Sequence, residues 1–134
     1  MAKSMSHRAL DAAFAYIAEH ADTLVLCAGA PANVAEALSP AREGGRMLGL
    51  AELLPGLGNG DFQVLPGVRS GRRLAVSARE DVTVLASGCA DHLAVVGRGS
   101  GELLIVTALA EPCEVIEAGT VTLEGFSDEI ADPV

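Results

Sequence analysis

Apolar positions along this chain follow two different rhythms. Near the start, Leu10, Ala13, Phe14, Ile17, Ala18 and Ala21 recur at three- and four-residue steps, which lines one face of a helix. This predicts an amphipathic helix from Ser6 to about Ala21. Ser6 stands where it can cap the start, but Ala9 denies it a capping box. After that the apolar residues gather into short runs. Thr23–Ala28 (TLVLCA) predicts a buried strand, broken by Gly29-Ala30-Pro31. Asn33 can cap a single helical turn, Val34–Leu38, that Ser39-Pro40 ends. Residues 41–60 hold Met47, Leu48, Leu50, Leu53 and Leu54 with no sustained period among many glycines and Pro55. They predict a long, mobile loop with room for one short strand at Arg46–Leu50.

Asp61–Leu65, Arg72–Ala78 and Asp81–Ala86 read as three further strands, separated by Pro66-Gly67 and a polar connection at 78–81. The densest stretch is Cys89–Ala110. It predicts a hairpin with arms Ala90–Val96 and Glu102–Ala108 around Gly97-Arg98-Gly99-Ser100-Gly101, whose glycines permit positive φ. Neither arm alternates cleanly, so the hairpin is expected at the centre, buried on both faces. Pro112 and Gly119 bracket a loop, and Thr120–Phe126 is the last strand, followed by an acidic tail. The expected fold class is mainly β (α+β): one N-terminal helix packed on an antiparallel β-sandwich or small barrel of about six strands, a single domain over residues 1–134.

Composition narrows the function classes. Half the residues are hydrophobic but only 3% are aromatic, so the core is Val, Leu, Ile and Ala, and base-stacking platforms have little to work with. The net charge of −9 argues against free nucleic acid as a partner, because phosphate binding needs a basic footprint. Arg98 is the last basic residue; Glu102, Glu111, Glu114, Glu117, Glu124, Asp128, Glu129 and Asp132 follow it. Such a face is a solvated surface that aids solubility or one that docks on a basic partner. Cys27, Cys89 and Cys113, odd in number and widely spaced, make no disulfide framework. The start of the chain lacks the apolar core of a secretion signal, and no apolar run has the length of a membrane span.

Candidate chemistry dissolves under its own spacing rules. Gly97–Gly101 lacks the Lys-Ser/Thr and the following helix of a phosphate-binding loop, and Arg98 stands where a nucleophile elbow needs glycine before Ser100. Cys89 and His92 have C-x-x-H spacing but no second pair of zinc ligands. Asp91 and His92, adjacent on a strand, are expected to diverge. His7 and His20 lie near the helix ends, in solvent. Asp128, Glu129 and Asp132 lack the glycine-hinged alternation of a calcium loop. The expectation is therefore no catalytic residue, no cofactor and no metal. Arg69, Arg72 and Arg73 form the only basic cluster, either a solvated strand edge or a partner for the acidic tail of this chain or a neighbour.

A wider pattern lies across these segments. Asp91-His92-Leu93-Ala94-Val95-Val96, a short turn, Leu103-Leu104, then Val121-Thr122-Leu123 and Phe126 before Asp128-Glu129-Ile130 resembles small virion structural proteins, of the head or tail module, of siphovirus-type tailed bacteriophages and prophages. Leu24–Ala28 leading to Ala30-Pro31, then Ala35-Glu36-Ala37 and Gly71-Arg72-Arg73, fit the same pattern. Leu93 stands where those proteins carry Trp, Val96-Gly97 replaces Val-Asp, and residues 41–60 differ. The resemblance implies a structural protein rather than an enzyme, made in the bacterial host cytoplasm and located in the virion. Its most plausible role is a capsid decoration (cement) protein, a homo-oligomer (a trimer) that binds the major capsid protein or other virion proteins by apolar burial and charge matching, with no direct nucleic-acid or membrane contact. The expected contact residues are Met47, Leu48 and Leu50 of the 41–60 loop, the N-terminal arm, the basic Arg69, Arg72 and Arg73, and the acidic Asp128 and Glu129. A tail or baseplate component, and a small-molecule-binding β-barrel with a hollow interior, are the alternatives.

Overall fold

The computed structural model describes residues 6–67 and 71–130. Arg69, Asp132 and the N-terminal arm, residues 1–5, lie outside them. The fold is mainly β with one long N-terminal helix, as expected. The chain divides into two compact units that interleave in sequence, one built from residues 1–20, 54–78 and 124–134, the other from 21–53 and 79–123.

The first unit pairs α1 (His7–His20) with a three-stranded antiparallel sheet of β3 (Phe62–Pro66), β4 (Arg72–Val76) and β9 (Phe126–Ile130), with β4 in the middle. The helix forms where the sequence period predicts it and packs on β3 and β4. Leu10, Phe14 and Ala18 are buried on its inner face; Ile17, on the same predicted apolar face, is half-buried. Phe62, Leu74 and Val76 complete this core. Truncating a buried phenylalanine such as Phe14 to Ala costs about 3–5 kcal/mol. Arg72 Nε donates to Asp11 Oδ1 at 2.8 Å, tying β4 to the helix.

The second unit is a six-stranded, wholly antiparallel sheet in the order β7-β6-β1-β2-β5-β8. Its strands are β1 (Thr23–Cys27), β2 (Met47–Glu52), β5 (Arg79–Val84), β6 (Gly88–Gly97), β7 (Glu102–Val115) and β8 (Thr120–Leu123). β1 is buried along its whole length between β6 and β2. The short α2 (Val34–Leu38) packs Ala37, Val34 and Leu38 against Val25, Cys27, Met47, Ala94 and Val96. Its cap is the expected one: Asn33 Oδ1 accepts the Glu36 N–H at 2.9 Å.

Three sequence expectations are corrected here. The β6–β7 hairpin forms about its glycine turn, but it is not the centre of the sheet. β6 is buried from Leu93 to Gly97, whereas β7 is the outermost strand with Val106, Ala108 and the stretch Ala110–Glu114 exposed. Aliphatic composition does not distinguish an inner from an edge strand. β7 also runs on through Pro112, where a loop was expected; an edge strand tolerates proline because one side of its backbone needs no donor. Finally, the predicted strand Thr120–Phe126 is two strands, β8 in the large sheet and β9 in the small one.

Candidate interaction surfaces

Residues 54–61 (Leu-Pro-Gly-Leu-Gly-Asn-Gly-Asp) form a tightly fastened loop. The Asp61 carboxylate, nearly buried at 5% exposure, accepts the Leu54 N–H at 2.7 Å. Asn59 Nδ2 donates to the Pro55 carbonyl at 2.6 Å, and the Gly58 N–H donates to the Phe62 carbonyl at 3.0 Å. The Gly56 N–H reaches the Ala18 carbonyl near the end of α1 at 2.8 Å. Ser77 closes the far side, its hydroxyl donating to the Gly60 carbonyl and its N–H to the Asp61 carbonyl. Gly56, Gly58 and Gly60 hold φ of 96°, 79° and 113°, which this tight path needs and other residues resist. The product of all this fastening is that Leu54 and Leu57 stand in solvent, 59% and 40% exposed. No charged residue occurs from Leu53 to Gly60.

A second apolar surface belongs to the large-sheet unit. Pro40, Thr83, Val84, Leu85, Glu117 and Ala118 line a hollow of about 350 Å³. Leu85 is 38% exposed there, and the neighbouring Ile116 is 76% exposed. The turn that carries Ile116 is pinned: Gly119 N–H donates to the Ile116 carbonyl, Ala118 N–H to the Val84 carbonyl, and Glu117 N–H to the Ser87 hydroxyl. Ala118 sits at φ 70°, the one non-glycine residue with positive φ among those described. Backbone strain held by surrounding bonds is the kind of feature that accompanies a functional surface.

The residues with chemical potential are distributed otherwise. Asp91 and His92 do meet, contrary to the expectation that they diverge. The ladder between β6 and β7 shifts register between Ala90 and His92, and the irregularity brings His92 Nδ1 within 2.9 Å of Asp91 Oδ1. The same oxygen accepts the Gly29 N–H at 2.6 Å. The hydrogen bond from His92, then that from Gly29, hold the Asp91 carboxyl below its usual range. Cys27 lies opposite His92 in the ladder, but its thiol is fully buried. Burial, followed by the nearby Asp91 charge, pushes it up to about 12, so it is protonated and inert at neutral pH. Among the described residues, no three His, Cys, Asp or Glu side chains are grouped to hold a metal ion. His7 and His20 end α1, and His20 Nδ1 lies 2.8 Å from the Tyr16 carbonyl.

The residues singled out for contact fare unequally. Met47 and Leu48 are core residues of β2, 7% and 1% exposed, and Leu50 is half-buried against the α2 layer. The short strand expected at Arg46–Leu50 forms as β2, but inside the sheet and not in a mobile loop, and burial removes Met47 and Leu48 from any docking surface. Arg72 and Arg73 lie on the middle strand of the small sheet rather than on an edge. Arg72 is engaged by Asp11, and Arg73 Nε donates to the Pro66 carbonyl at 3.1 Å. Asp128 and Glu129 lie on β9, where backbone register sets Glu129 opposite Arg73 and Asp128 opposite Leu74. Leu54, Leu57, Leu85 and Ile116 were missed as surface anchors. Leucine and isoleucine in a sequence look alike whether they face a core or solvent; the one available signal was the Gly-Asn-Gly punctuation beside Leu54 and Leu57.

No family model, curated protein or solved structure matches this chain. Among the described residues, no helix is long and apolar enough to cross a membrane.

Proposed function

We propose that this chain is a structural protein of a tailed-phage particle that decorates the head, bridging neighbouring capsid subunits. The observation that carries the reading is the fastened 54–61 loop. A small protein spends a buried carboxylate, an asparagine, a serine and three glycines on holding two leucines in water. Pre-organised apolar anchors of this kind lose little entropy on docking, which is the economy of an assembly surface. The segment motifs shared with small virion proteins support the same reading. So does the acidic balance, which suits a docking face on a basic protein lattice and not on packaged nucleic acid. In this reading the chain works by burying apolar surface against its neighbours, and no side chain carries out a reaction.

The test is to separate heads from tails of the particle that carries this chain and to quantify it on each. The expected result is a fixed stoichiometry to the major capsid protein on heads, with heads that lack the chain losing thermal stability until it is added back. Presence on tails alone would replace the decoration role with a tail or baseplate role.

A further inference from the structure

The large-sheet unit carries most of the chain's charge. Residues 21–53 and 79–123 hold eleven Asp and Glu against four Arg, so seven of the nine excess negative charges sit there. Two of those arginines are engaged by the unit's own acids, Arg46 by Glu36 at 3.5 Å and Arg79 by Asp81 at 3.0 Å. No Lys or Arg follows Arg98, and Glu111, Glu114 and Glu117 recur every third residue along an exposed strand end and turn. The last of them lines the apolar hollow of Pro40, Val84, Leu85 and Ala118, and its sequence neighbour Ile116 is 76% exposed. We infer that this hollow and its acidic approach are a docking site for a basic segment of a partner protein, one that seats a leucine or phenylalanine in the hollow and sets flanking Lys or Arg against the glutamates.

Shape and charge each define part of that occupant. The hollow asks for an apolar anchor: its volume of about 350 Å³ is more than twice the roughly 150 Å³ cavity that holds a benzene ring. Its wall is already set, because the Ala118 N–H is held by the Val84 carbonyl and the Glu117 N–H by the Ser87 hydroxyl, so docking has little left to order. The glutamates ask for positive charge, and they turn away other candidates. A second copy brings the same excess of acid, and nucleic acid brings phosphates. A bare metal ion lacks ligands, since no three His, Cys, Asp or Glu side chains are grouped to hold one among the described residues. Apolar burial in the hollow supplies affinity, while the acids choose the partner and speed its encounter. This site rests on the reading of the chain as an assembly protein and gives its partner a chemistry. A failed docking test with the chain still found on heads would remove this site alone.

The experiment titrates the full, isotope-labelled chain with the peptide Gly-Lys-Lys-Leu-Phe-Lys-Lys-Gly and follows its amide resonances. Two control peptides carry Gly-Gly in place of Leu-Phe, or Glu in place of every Lys. The first peptide is expected to bind at least about tenfold tighter than either control, and to weaken as salt rises from about 50 to about 500 mM. The shifts are expected to concentrate at Val84, Leu85 and Ile116–Gly119. Leu85→Ser with Ile116→Ser should weaken binding at least about tenfold, and so should Glu111→Gln with Glu114→Gln and Glu117→Gln. All five positions are exposed, and circular dichroism melts confirm that the variants fold. Leu54→Ser with Leu57→Ser, in the other unit, should bind like wild type. No binding by wild type, equal binding of either control peptide, shifts centred elsewhere, or either hollow-side variant binding like wild type would each overturn the proposal.

Discussion

Gly49 decides how closely two strands of the large sheet can lie. It sits in β2, paired with Val84 of β5, and β2 and β5 share only the two register pairs Gly49–Val84 and Leu50–Thr83. A Cβ built on Gly49 would fall 2.6 Å from the Thr83 carbonyl oxygen and 3.3 Å from both the Thr83 carbonyl carbon and Val84 Cα. All three are backbone atoms, so no side chain can swing aside. Two effects then compete in Gly49→Ala. Restricting the unfolded chain favours the variant by about 0.4–1 kcal/mol. Forcing the strands apart costs about 1–3 kcal/mol, toward the upper end where the displaced group is main chain. The clash wins, leaving a net loss of about 2 kcal/mol, or roughly 5–10 °C in melting temperature for a chain of this size. Gly99→Ala is the matched control: its added Cβ meets nothing within 4 Å and its φ is not positive, so it should melt at or slightly above wild type. Thermal and urea unfolding of both variants measures the pair. A Gly49→Ala protein at least as stable as wild type would show that β5 does not need this close approach.

Other consequences can be checked with the same material. Asp22 binds the β6–β7 turn, its carboxylate accepting the Arg98 N–H at 2.9 Å, the Gly99 N–H at 3.4 Å and the Thr23 hydroxyl at 3.0 Å. Partial burial alone would raise its carboxyl, but these bonds and the Arg98 charge together outweigh that and hold it below its usual range. Its contribution is therefore complete above the unfolded value near 4 and lost as pH falls through the lower folded value. Asp22→Ala should cost about 1–2 kcal/mol at pH 7, and the gap to wild type in urea titrations should close in acid. Ala118→Gly should gain about 0.5–1 kcal/mol in the same titrations, since relief of the left-handed backbone exceeds the entropy cost of glycine. Ellman's reagent should label the exposed Cys113 and Cys89 in the native protein, Cys89 the more slowly because desolvation and the Glu114 and Asp91 charges push its thiol up, and Cys27 only on unfolding, because it is buried with its thiol pushed up to about 12. Prompt labelling of all three thiols would mean that the α2 layer opens readily.

Much of the framework was legible because local signals and tertiary placement agreed. The 3.6-residue period gave α1, the unbroken run Leu24–Cys27 gave the inner strand β1, and Asn33 gave the start of α2. Failures came where the decisive fact lay across strands. β2 reads as only a short strand within a loop because Gly49 interrupts its apolar run, yet the absence of a side chain there is what lets β5 approach. The meeting of Asp91 and His92 depends on a register slip that no spacing rule announces. The position of β7 at the rim is a matter of sheet order, to which Leu, Ile and Val are indifferent. The candidate surfaces were the least legible part, since Leu54 and Leu57 count toward a core in any tally of hydrophobicity and only the hydrogen bonds of Asp61 and Asn59 reveal that they are held outward.

The interleaving of the two units bears on how the protein comes off the ribosome. α1 emerges before the other described elements, but the strand that completes its sheet, β9, is translated after every strand of the larger sheet. The helix must therefore keep its greasy face out of trouble while the strands that follow it are synthesised. Cutting the gene at any single codon cannot yield both units intact, so a split reporter or a truncated display fusion will inherit at least one unfinished half.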